Sequence, residues 1–149
     1  MQTSHQDMRI KVNQIVGVLA VIVFASCVSI RPGYFEDDQK TAERAVELFH
    51  SRLSNERYEE IYNDTAEEFR KTAEKTDLIA VMKRTHEQFG AFERTSRTDA
   101  KVTMAVPRQV WLAYKTTYEK GDATEEFLWL VNFEQVKLAS YRVSSSPRK

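Results

Sequence analysis

The chain has 149 residues, 42% hydrophobic, 30% charged and 11% aromatic, which suits one domain with a real core and excludes a disordered tail. Its 22 Lys plus Arg balance 22 Asp plus Glu, and with no basic stripe there is no field to hold a polyphosphate, so nucleic acid is not an expected partner. Four scattered glycines and the single Cys27 exclude a Walker A loop, a dinucleotide fingerprint, a Gly-x-Ser-x-Gly elbow, internal disulfides and cysteine-built zinc sites.

The first segment is polar and carries Arg9 and Lys11, and an uncharged apolar run follows from Ile15. This is an n-region followed by an h-region. Asn13, Gln14, Ser26 and Ser29 interrupt the uncharged stretch, so its apolar centre is shorter than the ~20 residues of a spanning helix. The run ends in Phe24-Ala25-Ser26-Cys27, which resembles the lipobox of bacterial lipoproteins. That resemblance implies acylation at Cys27 after cleavage. An uncleaved anchor and a plain secretory peptide are the alternatives, and all three put the rest of the chain outside the cytoplasm, on the envelope side of a membrane.

Residues 1–27 are therefore read as signal or anchor and 28–37 as a tether rich in turn formers, with Arg31, Pro32 and Gly33. Ala42, Ala45, Val46, Phe49 and Leu53 keep helical spacing and predict an amphipathic helix over 38–53. Tyr58, Ile61 and Tyr62 predict a shorter helix, and Thr65 with Glu68 has the form of a capping box opening a third. A fourth, with Leu78, Met82, His86 and Phe89 on or beside one stripe, ends at Gly90. Strands follow: Lys101–Val106 by alternation, then Val110–Glu119 and Thr124–Phe133 as a hairpin around Lys120-Gly121-Asp122, then Val136–Ser144. Helices first and an antiparallel meander second predict an α+β domain over 38–144, with a polar tail at 145–149.

The run Gly90-Ala91-Phe92-Glu93-Arg94-Thr95-Ser96-Arg97 and the closing Val136-Lys137-Leu138-Ala139-Ser140-Tyr141-Arg142-Val143 resemble small exported bacterial domains of the nuclear transport factor two-like, or cystatin-like, superfamily. The resemblance spans roughly residues 40 to 144 and implies a cone, a curved antiparallel sheet wrapped over a long helix. That superfamily hosts isomerases, dehydratases, cargo binders and inert dimerisation modules, so it implies no particular activity.

A cone implies a cavity lined by aromatics and a few polar groups. The candidate lining is Tyr58, Tyr62, His86, Trp111, Tyr114, Tyr118 and Trp129, each of which competes with a plain core role. His86 is the candidate base, but no inward Asp or Glu is recognisable as its partner. Asp64 and Asp77 read as caps or turn residues, and His50 has only Glu47 at a metal-ligand spacing. Neither a metal nor a cofactor is expected. In the strand 124–133, Phe127, Trp129, Val131 and Phe133 alternate with Leu128 and Leu130, so both faces are apolar. Leu128 and Leu130 are the candidate interface of a homodimer. The expected function is a membrane-tethered, non-enzymatic domain that binds a small apolar ligand or an envelope protein. A structural dimerisation module, or a small isomerase or hydrolase using His86, is the alternative.

Overall fold

A computed structural model describes residues 33–132 and 135–145. The signal segment with Cys27, the first part of the tether, Phe133, Glu134 and the polar tail after Ser145 lie outside the described residues. Four helices precede four strands: α1 Gly33–Ser54, α2 Tyr58–Asn63, α3 Glu67–Arg70, α4 Lys75–Phe89, β1 Phe92–Thr103, β2 Arg108–Tyr118, β3 Gly121–Asn132 and β4 Gln135–Ser145. The strands form one antiparallel sheet in the order β1-β2-β3-β4. Helices packed on one face of this open sheet give the expected α+β cone. Among the described residues, no helix is long and apolar enough to cross a membrane.

Helix α1 lies over the sheet because Ala42, Val46, Phe49 and Leu53 fall on one face, and all four are buried. They meet Val110, Leu112, Tyr114 and Tyr118 of β2, Phe127, Trp129 and Val131 of β3, and Leu138 of β4 in one core. Each fully buried Leu or Phe contributes ~1.5–3 kcal/mol. Ion pairs at the helix flanks orient it further. Arg108 pairs with the buried Asp38, and Arg97 of β1 pairs with Glu43.

Four local expectations change. Helix α1 begins at Gly33, inside the segment read as tether, because the charged run 36–40 continues the helix instead of breaking it. The Lys40–Glu36 pair bridges one turn there at 2.7 Å. The Thr65–Glu68 capping box does not form. Ala66 is the N-cap residue of α3, and the Thr65 hydroxyl donates to the Tyr62 carbonyl at 2.6 Å. The 64–66 backbone is committed elsewhere, since Ala66 N–H donates to Leu138 O at 2.7 Å and Leu138 N–H to Asp64 O at 2.9 Å.

The first strand is also displaced. It runs Phe92–Thr103, and Met104 and Val106 lie beyond it, exposed. Pairing stops at Thr103↔Gln109, so the alternation at Val102, Met104 and Val106 is cut halfway. The polar stretch 93–99 is strand because β1 is an edge, and charged side chains on an edge deter pairing with another chain. Lastly, β4 reaches Ser145. The β2–β3 hairpin forms as expected but turns at Glu119–Lys120, with Gly121 and Asp122 already paired in β3, and the Gly90 helix end forms as expected. Gly90 has φ 79°, and a Cβ there would sit 2.9 Å from Glu119 Oε2, so only glycine fits without strain.

Candidate functional site

The register Leu112↔Phe127 and Tyr114↔Glu125 puts even residues of β2 and odd residues of β3 on the face that meets α1. Glu125 therefore points into the core two residues before Phe127. His50 reaches it from α1, four residues after Val46 and three before Leu53 on the apolar stripe. The two side chains are 1% and 0% exposed, and His50 Nε2 lies 2.8 Å from Glu125 Oε2.

Three hydroxyls complete the cluster. Thr116 of β2 donates to Glu125 Oε2, while Tyr118 of β2 and Tyr141 of β4 donate to Oε1 at 2.8 and 2.7 Å. Thr95 of β1 extends the chain, its hydroxyl 2.9 Å from that of Thr116. With His50 donating through Nε2, four donors occupy the two carboxylate oxygens, about the full lone-pair capacity of an ionised carboxyl. The His50 ring stacks on Phe92 at 4.4 Å between centroids. Its Nδ1 is buried without a hydrogen-bond partner among the described residues.

Electrostatics follow from this geometry. Burial pushes the Glu125 carboxyl up, but the hydrogen bonds from His50, Thr116 and Tyr141 outweigh it and hold the group below the ordinary value of 4.5. Burial first, then the Glu125 charge, pushes the Tyr118 and Tyr141 phenols upward, so both remain protonated donors. The arrangement can hold a charge in place. It cannot reach a substrate, because neither His50 nor Glu125 meets solvent and every oxygen is engaged. Among the described residues no group of three or more His, Cys, Asp or Glu is placed to hold a metal ion.

An open pocket of about 240 Å³ lies elsewhere, between α1, α2 and the β3–β4 ladder. Ala45, Leu48, Phe49, Ile61, Trp129, Val136 and Leu138 make its apolar wall, and Thr41, Arg44, Arg52 and Asp64 its polar part. Arg52 pairs with Asp64 and lies 3.3 Å from Glu60. Lys137 also reaches Asp64, at 3.3 Å. Partial burial pushes Asp64 up, and hydrogen bonds from Arg52 and Lys137 outweigh it and bring the carboxyl below its ordinary range.

The residues singled out from sequence are not gathered in one place. Trp129 lines the open pocket and Tyr118 belongs to the sealed cluster. Tyr114 sits in a separate groove with Glu43, Glu47, Thr95 and Arg97, and burial pushes its phenol up to about 12. His86 lines neither the open pocket nor the Tyr114 groove. It lies between α4 and α2, its Nδ1 3.0 Å from the Tyr58 hydroxyl and 4.0 Å from Glu56, beyond hydrogen-bond reach of that carboxylate. Tyr62 is a platform for Arg70 and Lys75, 5.9 and 5.3 Å from its ring centre. Trp111 is on the opposite face of the sheet, paired in register with Leu128.

An inward carboxylate does exist, against the reading from sequence, and its partner is His50, not His86. Two periodicities carry the signal. Glu125 alternates with Ala123, Phe127 and Trp129, and His50 continues the Val46–Leu53 stripe.

No protein-family model and no curated relative matches this chain. Among solved structures, it is similar to Bd1075 of Bdellovibrio bacteriovorus, with a TM-score of 0.50 at 11% identity over 78% of this chain. The match spans 44% of that protein, less than half its length, and at this identity it speaks for the fold alone.

Replacing Glu125 by Gln puts an amide with two donors of its own among four donors. The variant is expected to lose about 3 kcal/mol of stability at neutral pH, read from urea unfolding. Because the folded carboxyl titrates below its ordinary value of 4.5, its contribution is present above that value and lost as the pH falls through the folded value. Stability measured from neutral pH down to about pH 3 should therefore fall less steeply in Glu125→Gln than in the parent protein. Parallel curves would show that Glu125 is not held ionised.

Proposed function

We propose that this chain is a membrane-tethered, non-enzymatic domain of the nuclear transport factor two-like kind, and that its open pocket binds a small apolar ligand. The apolar wall of that pocket carries the reading. Phe49, Ile61, Trp129 and Leu138, each 3% exposed or less, form its floor and the exposed Leu48 its rim, a concave apolar recess of the kind that small ligands enter. The non-enzymatic part rests on the saturation of Glu125 and on the pairing of His86 with a tyrosine in place of a carboxylate.

The test uses Trp129 as reporter, with Trp111→Phe removing the second of the two tryptophans. Decanol and decanoate, each below its aggregation limit, are titrated against the full-length protein. At least one is expected to shift Trp129 emission saturably, and Ala45→Phe, which fills the pocket, is expected to abolish the shift. No saturable response to either probe overturns the ligand-binding reading.

The tether and the envelope location rest on Arg9, Lys11 and Phe24-Ala25-Ser26-Cys27. In a bacterial host, labelled fatty acid is expected to enter the wild-type chain and not Cys27→Ser. A wild-type chain that takes up no label refutes the lipoprotein reading.

Assembly is the second reading, favoured by the outer face of the sheet. There Leu128 and Leu130 project away from the core, and both are half-exposed. Trp111 lies beside Leu128 in a shallow groove with Glu126, Ser140 and Arg142. A dimer built on this face should sediment as such at high micromolar concentration and become a folded monomer in Leu130→Lys, because a desolvated charge at a contact costs several kcal/mol, roughly. A monomeric wild-type protein contradicts it.

A further inference from the structure

We infer that the open pocket is built for a free medium-chain monocarboxylate, with the chain against Trp129 and the carboxylate at Arg44. This rests on the ligand-binding reading above and adds the chemistry of the ligand.

Charge at the pocket is the first observation. Among the described residues Asp64 is the only carboxylate in its lining, and Arg52 and Lys137 already neutralise it. Arg52 in turn is used by Asp64 and Glu60. Arg44 is different. It is exposed, its guanidinium donates to the Thr41 hydroxyl at 3.1 Å, and no carboxylate among the described residues pairs with it. A guanidinium carries five N–H donors in a fork that matches a carboxylate. Among the described residues the lining thus offers one unpaired cation and no unpaired anion, which selects an anionic end group over a cationic one.

The second observation is independent of charge. The indole N–H of Trp129 is buried and has no acceptor among the described residues. A buried donor without a partner is costly, and this one belongs to a side chain of the same pocket wall. The polar groups left over at this site, the open Arg44 guanidinium and the indole N–H within the wall, are donors, and donors do not favour an amine.

Size narrows the chain. A volume of about 240 Å³ is the share of roughly eight water-sized groups. That is room to enclose a chain of roughly eight to ten carbons.

The experiment compares decanoate with decanol and decyltrimethylammonium by Trp129 emission in the full-length Trp111→Phe protein, counting only the response that Ala45→Phe removes. An apolar cavity with no anion recognition prefers the alcohol, since the ionised acid loses more hydration on entry. Decanoate is instead expected to bind about threefold to tenfold tighter than decanol. Arg44→Gln, an exposed helix substitution, should erase that difference. Equal affinities in the parent, a preference that survives Arg44→Gln, or tighter binding of the ammonium overturns the carboxylate inference and leaves the pocket reading standing. Loss of all three responses overturns both.

Discussion

The fold depends on one buried charge. Glu125 is an ionised carboxylate fully removed from water, and such a group is tolerated only where donors replace its hydration. Its donors come from different parts of the chain: His50 from α1, Thr116 and Tyr118 from β2, and Tyr141 from β4. Thr95 of β1 joins through Thr116. All four strands and the long helix therefore meet at one point. A slip of one residue in the β2–β3 or β3–β4 ladder would turn donors away from the Glu125 carboxylate and leave its charge short of partners. The hydrophobic core rewards compactness, whereas this cluster rewards a single register.

The same arrangement explains why the cluster and the pocket are separate. Around Glu125 the aromatic rings are close packed: Phe49 meets Phe127 at 5.2 Å and Tyr141 at 4.7 Å, and His50 stacks on Phe92. That packing keeps water out and keeps the hydrogen bonds strong. Nearer the α2 side the wall is held by ion pairs from Arg52 and Lys137 to Asp64 and by the short bridge between residues 64–66 and Leu138. Backbone and ion pairs there span a gap that side chains do not fill. The helix is pinned by His50 at its buried face and by Arg108 and Arg97 at its flanks, so the cleft beside Ala45 and Leu48 is a feature of a firmly placed helix.

The outer face of the sheet follows from topology. A single antiparallel layer has two faces, and α1 covers one of them. β3 alternates Ala123, Glu125, Phe127, Trp129 and Val131 toward the helix with Leu128 and Leu130 away from it. The edges are treated differently. β1 carries Arg94, Arg97, Asp99 and Lys101 along an exposed edge, while β4 is partly covered by the backbone of residues 64–66, which pairs with Leu138.

Local pattern alone determined the class of fold, the order of its elements, the β2–β3 hairpin and the helix end at Gly90, because periods of 3.6 and 2 and the conformational freedom of glycine act over a few residues. The doubly apolar character of β3 was legible for the same reason. The site was not. His50 and Glu125 lie 75 positions apart, and each looks ordinary in its own window, a histidine beside Phe49 and a glutamate beside Glu126. The pairing needs the β2–β3 register and the placement of α1 together. His86 satisfied the local pattern better, yet helix packing turned it toward Tyr58. Strand β1 was hidden because an edge strand needs no apolar face, and Met104 and Val106 mimicked one because alternation does not tell where ladder pairing stops. Only tertiary structure decides which polar residue on an apolar stripe is enclosed, since enclosure depends on what arrives from the far side of the core.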